Sequence, residues 1–347
     1  MGKNVLVTGH TGFKGAWLSF FLRELGACVH GLALPPATVP NLYTMINSEI
    51  FDSEEFLDLR DKASITKFIN GVNPQVIFHL AAQASVLEGY EDPEGTWTSN
   101  VIGTLNILES LSLAKKPVAL VIATTDKVYL NQNQAVDFTE SDRLGGSDPY
   151  SSSKVAVEEL VISYRKIFSV RETNVKIAVT RAGNVIGGGD FLPNRIIPDA
   201  FRALASDSVL TVRNPDSTRP WQHVLDPING YLSLAQHLYS SDNKEFEGAF
   251  NFSNPTNIGI SVKELLGYIS AENDLRLEVN QNAPKYPEAK FLNLNSEKAH
   301  VMLGWRPRID ISDATKLTMD WYRHYLRGSE MRTVTRSQIR NYINSEN

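Results

Sequence analysis

The 347-residue chain is 42% hydrophobic and 21% charged, with a formal net charge of −5, so it has material for a large core and no basic footprint for nucleic acid or acidic lipid. Its single cysteine, Cys28, rules out an internal disulfide; it reads as buried between Ala27 and Val29 and suits a reducing compartment. No apolar run is long enough to span a bilayer and the N-terminus enters a strand at once, so no membrane association and a cytoplasmic location are expected.

The first half alternates apolar runs with helical patterns. "KNVLVTG" predicts a buried strand and "FKGAWLSFFLRELG" a helix, with Trp17, Phe20, Phe21 and Leu25 at helical spacing. "CVHGLAL" is a second strand and "ASITKFING" a helical stretch, and a further strand is expected just before "FLDLRD". "VIFHLAA" follows as a strand, "PEGTWTSNVIGTLNILESLSLA" as one long helix and "VALVIATT" as another strand. After these come the helix "YSSSKVAVEELVISYRKIF" and the strand "VKIAVTRA". Continuous Val/Ile/Leu strands between helices predict an α/β, Rossmann-like, doubly wound parallel sheet with right-handed crossovers. From residue 185 the rhythm loosens into glycine- and proline-rich segments. The expected organisation is a first domain over 1–184 and a smaller C-terminal lobe over 185–330, with a segment near 225–255 returning to the sheet through "EGAFNFSN". Residues 331–347 read as a polar, loosely held tail.

"VLVTGHTGFKG" puts Gly9, Gly12 and Gly15 between a strand and a helix, with Thr11, Phe13 and Lys14 among them. Glycines there let the backbone approach a pyrophosphate, which free amides and the helix dipole would hold. The second strand ends in "GLALPPATVPN", with no acid to hold a ribose and no arginine to welcome an extra phosphate, so the residues alone leave NAD and NADP open and lean to NAD. Asp58, followed by Leu59, suits either an adenine amino group or a helix N-cap.

Tyr150 and Lys154 in "DPYSSSKVAVEE" lie four apart on one helical face. A lysine beside a tyrosine favours the phenolate, so the phenol becomes a usable base. "IATTDKVY" then sets Thr124, Thr125, Asp126 and Lys127 at a strand end, an acid and a base that are either a solvated turn or a proton-transfer pair. His79 reads as a packed core histidine and Trp221 as lobe packing.

With these motifs together, residues 3–325 resemble the nucleotide-sugar branch of the extended short-chain dehydrogenase/reductase family. "TTDK" is similar to the Thr-Asp-acid/base signature of its sugar 4,6-dehydratases in the version that carries lysine. "FHLAAQ", "SNVIGTLNILE", "RAGNVIGGGD", "NRIIPD" and "RPWQHVLDPINGYL" carry the same resemblance. It implies bound NAD, no metal, and a reaction in three stages. Tyr150, supported by Lys154, takes the 4-hydroxyl proton as hydride leaves C4; Lys127 removes the C5 proton while Asp126 protonates the departing 6-hydroxyl; hydride then returns to C6. Burial of Lys127 beside Lys154 would lower its pKa to suit a base. Thr125 would bond the 4-hydroxyl region, Thr124 would lie on the cofactor side, Asn100 would order that side, and Leu80, Ala81, Ala82 and Gln83 would line the nicotinamide ribose. Asn184, Arg195, Arg213, Arg219, His223 and Glu288 would meet the nucleoside diphosphate, arginine forks being suited to phosphate. The resemblance also implies a homodimer, with a tetramer left open, paired through the helices starting near Pro93 and Tyr150.

Departures from the family cluster in one place. Leu87 stands where the family has an arginine, and Asn133, Gln134, Val136, Asp137 and Thr139 replace most of a Glu- and Trp-rich segment after "DKVY". The proton and hydride machinery is complete, while sugar recognition is altered. An epimerase of the same family, which needs no Asp126–Lys127 pair, is the alternative; a dinucleotide-sensing protein on a retired enzyme fold is a more remote one.

Overall fold

The computed structural model describes residues 2–345 apart from 242–243, 255–258, 272–273 and 281–288. Its centre is a seven-stranded sheet of β1 (Asn4–Thr8), β2 (Cys28–Ala33), β3 (Ser53–Phe56), β4 (Val76–His79), β5 (Val118–Ala123), β6 (Val175–Ala182) and β7 (Ala249–Phe252). The spatial order is β3-β2-β1-β4-β5-β6-β7, and every neighbouring pair is parallel. The segment "EGAFNFSN" does return to the sheet, as its edge strand β7.

Alternation along each strand feeds two cores, because successive side chains point to opposite faces. Val5 and Val7 pack on one side with Trp17 and Phe20 of α1 (Phe13–Glu24) and with Ile228 and Leu234 from the helix Leu225–Ser240. Leu6, Ile77 and Leu120 pack on the other with Ile65 and Ile69 of α2 (Lys62–Val72), Ile107, and Val157 and Val161. The first core runs on without a break into the lobe, through Phe191, Phe201, Trp221, Trp305 and Trp321.

The long helix expected from residue 93 is three pieces: α3 (Pro93–Trp97), a π-helical turn over Thr98–Ile102, and α4 (Gly103–Ser110). The helix that carries Tyr150 and Lys154, α5 (Pro149–Val170), is unbroken and starts at a capping box between Asp148 and Ser151. Cys28 is half-buried rather than buried.

The polar tail is also corrected. Residues 331–344 form α6 of the labelled helices (Met331–Asn344), with Met331, Thr335, Ile339 and Tyr342 buried. Arg336 and Arg340 bond Glu24 at 2.9 and 2.7 Å. Such partly exposed pairs contribute about 0–1 kcal/mol, whereas each buried Met, Ile or Tyr contributes about 1.5–3 kcal/mol. The apolar stripe therefore docks this helix, and its spacing is lost to the eye in a segment whose other positions are polar. Among the described residues no helix is long and apolar enough to cross a membrane.

Candidate active site

Chain order reverses between β1 and β4, and in such sheets the ligand crevice opens at the carboxyl ends of those strands. The glycine turn leaves β1 there. Gly9 has φ +74°, and a Cβ on it would meet the Ala81 nitrogen at 2.7 Å; on Gly15 a Cβ would meet the Gly9 oxygen at 2.0 Å. Neither position admits a side chain. At Gly12 a Cβ would touch only the Gly9 oxygen, at 3.4 Å, so its outer side is open. Gly12 caps α1 without any side-chain hydrogen bond, leaving helix amides and an open cradle suited to a pyrophosphate. Thr11 donates to the Leu34 carbonyl at 2.8 Å, and Lys14 reaches the Tyr231 hydroxyl at 3.3 Å.

Leu80 to Gln83 follow β4 across this crevice. The Leu80 and Ala81 amides bond the Thr8 carbonyl and hydroxyl, each at 3.2 Å. Beneath them His79 joins Thr8 at 2.7 Å and Thr104 at 3.0 Å; burial pushes its pKa down to about 3, so it is the neutral core histidine expected. Asn100, in the π turn, holds Gln83 at both backbone atoms (2.8 and 3.1 Å) and donates to Ser153 on α5 at 2.8 Å. π turns recur at functional sites; this one lets a single side chain tie the β4 loop to the helix of Tyr150.

β5 ends at Ala123, and a 3₁₀ turn over Asp126–Val128 follows, capped by Thr125. Asp126 is 1% exposed. Its Oδ1 accepts from Thr125 at 3.0 Å and from Lys127 Nζ at 3.4 Å, while its Oδ2 is buried with no partner among the described residues. Lys127 keeps a side chain 29% exposed. Tyr150 and Lys154 stand one turn apart on α5, both buried, and Lys154 Nζ donates to the Ala123 carbonyl at 3.2 Å.

One expectation about these groups changes. Burial pushes Tyr150 up to about 12, opposed by a hydrogen bond from Thr125 and the charge of Arg195; without ligands, desolvation outweighs any phenolate support. Burial also pushes Lys154 down to about 8, assisted by the charge of Lys14.

The remaining candidates divide. Thr124 turns inward, donating to Glu158 at 2.8 Å. Asp58 is held by Arg60 at 2.9 Å, and the cap of α2 is Asp61, not Asp58. Leu59 is buried against Gly103, its carbonyl bonded by Asn106 at 2.8 Å. Arg195 pairs with Asp190 at 3.0 Å near enough to act on Tyr150. Asn184 has a buried Oδ1 with no hydrogen-bond partner among the described residues. Arg219 is buried, with Nη1 on the Thr218 carbonyl at 2.8 Å, and Arg213 is exposed. His223 is fully buried beside Trp17, away from any solvent-accessible surface. Trp221 packs as expected, bonding the Ile260 carbonyl at 2.9 Å. Glu288 lies outside the described residues. Three residues of the altered segment bond the lobe: Asn131 the Phe291 carbonyl (2.6 Å), Asn133 the Lys290 amide (2.9 Å), and Asp137 Asn293 (2.6 Å), while Thr139 bonds Asp142 locally (2.9 Å). Sequence reasoning passed over Glu158, Arg181 and Tyr129, which form one buried network behind the lip; the available signal was an arginine near the end of the buried strand "VKIAVTRA" and a glutamate four residues beyond Lys154.

A doubly wound sheet with a glycine turn after β1 and Tyr150/Lys154 on the helix beside the crevice defines a short-chain dehydrogenase/reductase. The model of the GDP-mannose 4,6 dehydratase family matches residues 6–318, and the chain belongs to that family. It is 36% identical to a CDP-glucose 4,6-dehydratase of Salmonella typhimurium, across 99% of this chain and 97% of that one. It is 27% identical to a UDP-glucose 4-epimerase of Rhizobium leguminosarum bv. trifolii, covering 92% and 98%. Among solved structures, UDP-glucose 4-epimerase of Thermotoga maritima superposes with a TM-score of 0.79 over 93% of this chain and 99% of that one, at 23% identity, a likeness of fold.

Proposed function

We propose that the chain is an NAD-dependent nucleotide-sugar 4,6-dehydratase, a hydro-lyase most like the CDP-glucose enzyme it resembles at 36% identity. The observation that carries the reading is the Asp126–Lys127 pair at the lip of β5, with the Asp126 Oδ2 buried and unpartnered. An epimerase that only oxidises and re-reduces C4 has no use for that pair.

The residues fit the cofactor. The open side of Gly12 and the uncapped start of α1 would receive the diphosphate, Asp58 the adenine, and Leu80 to Gln83, fixed by Asn100, the nicotinamide ribose. When bound, NAD accepts a hydride from C4 and gives it back at C6. The chain does the proton work. Tyr150 takes the 4-hydroxyl proton, its buried phenol gaining acidity once a positive ring joins the Lys154 ammonium at the site. The 4-ketone acidifies C5–H, which Lys127 removes as the C6–O bond breaks; Asp126 protonates that oxygen and water leaves. A proton returned to C5 completes a cycle with no net redox change. Asn184, Arg195, Arg213 and Arg219 serve the diphosphate in this reading, and Glu288 the nucleoside ribose.

Mass spectrometry of reactions with CDP-, dTDP-, UDP- and GDP-glucose and catalytic NAD tests the assignment. Loss of one water from one of them is expected, with CDP-glucose the first candidate. An isomeric product without water loss would favour the 4-epimerase reading instead, which the replaced arginine at Leu87 and the altered 131–139 segment support. Exposed Trp97, Ile102 and Ile162 on the helices from residues 93 and 149 support a homodimer, and light scattering in solution reads the mass directly.

A further inference from the structure

The hexapeptide from Thr124 to Tyr129 contains both Asp126 and Lys127, and it is gripped from inside at its two ends. Thr124 donates to Glu158 Oε1 at 2.8 Å. The Tyr129 hydroxyl accepts from Arg181 Nη1 at 2.8 Å and donates to Asn251 on β7 at 2.7 Å. Arg181 and Glu158 close the ring through a two-pronged ion pair, with Nε at 2.9 Å from Oε1 and Nη2 on Oε2. The Arg181 guanidinium lies 4.8 Å from the Tyr129 ring centroid, and Phe138 stacks on that ring at 4.9 Å. Glu158, Arg181, Tyr129 and Asn251 are all at most 4% exposed.

A buried ion pair of this kind adds little net stability over an apolar replacement, and its best-attested use is to fix register. The register at issue here is specific. Glu158 follows Lys154 by one turn of α5, so the anchor for the Asp126–Lys127 turn is built on the helix that carries Tyr150 and Lys154. We propose that Glu158, Arg181 and Tyr129 are positioning residues that hold Asp126 and Lys127 in register with Tyr150 and Lys154, so that the sugar oxidised at C4 by one pair is already placed for loss of water by the other. The proposal rests on the dehydratase assignment and adds three residues that touch no substrate.

Removing Arg181 outright would strand a buried carboxylate, so two gentler variants carry the test. Tyr129→Phe keeps the stacked ring and deletes only the hydroxyl. Arg181→Lys keeps a charge opposite Glu158 without a planar fork to span Glu158 and Tyr129. Each is compared with the full parent chain in single turnovers, with NAD and the nucleotide-glucose that the parent dehydrates. Reduced-nicotinamide absorbance reports C4 oxidation, and product mass reports water loss. Both variants are expected to oxidise C4 within about twofold of the parent and to lose water roughly ten- to a hundredfold more slowly, so that reduced cofactor accumulates. The two steps slowing together, or neither slowing, in both variants would overturn the brace while leaving the dehydratase assignment standing. A parent chain that removes water from no nucleotide-glucose would overturn the assignment, and the brace with it.

Discussion

The two pairs of candidate residues at the crevice, Tyr150 with Lys154 and Asp126 with Lys127, are built on opposite principles. Tyr150 and Lys154 sit on a helix of 22 residues, and burial moves both, to about 12 and about 8. Asp126 and Lys127 sit on a three-residue 3₁₀ turn, one side chain buried and the other partly open. A long helix packed against a sheet carries its own precision, since helical spacing aligns residues four apart. A short turn has no such internal support and borrows it from side chains behind: Thr124 on Glu158, Tyr129 on Arg181. In the proposed mechanism the first pair is positioned by helix backbone and the second by the polar network behind its turn.

The comparison breaks most sharply through the residues themselves. Tyr150→Phe is expected to remove both C4 oxidation and water loss, by about 10²–10⁴-fold as befits an essential proton acceptor, in a steady-state assay of product. Lys127→Ala is expected to stop water loss by a similar factor while C4 oxidation persists, visible as stable reduced nicotinamide; loss of both steps would mean the two pairs are not separable. A stability effect comes next. Lys154 has a folded-state pKa of about 8 against an ordinary 10.5, so the cost of burying its charge is fully present below pH 8 and fades as pH rises to 10.5. Lys154→Met should therefore stabilise the ligand-free fold at pH 7 by up to about 3 kcal/mol, with the gain shrinking on the alkaline side in denaturant titrations; a variant less stable at pH 7 would show that the bond to Ala123 outweighs desolvation. The smallest effect concerns the altered segment. Asn131→Ala deletes bonds to Phe291 and Asn133, costing about 1 kcal/mol, and leaves KM for the sugar nucleotide unchanged. A raised KM would show that this segment reaches the substrate.

Much of this was legible in the sequence, for definite reasons. Buried parallel strands are continuous apolar runs, so β1, β2, β4, β5 and β6 announce themselves, and glycine marks positions such as 9 and 15 where a Cβ cannot fit. Tyr150 and Lys154 follow from helical spacing, and Asp126–Lys127 from family resemblance joined to its place at a strand end. Those features are local: they depend on residues within a turn or two of one another. Tertiary structure alone decided the others. The order of the strands, the docking of the helix Met331–Asn344 and the inward turn of Thr124 all depend on partners far along the chain. The ring that joins residues 124, 129, 158 and 181 has no period and no motif: its polar residues stand out in the sequence, but their pairing does not, because hydrogen-bond partners are selected by distance in space.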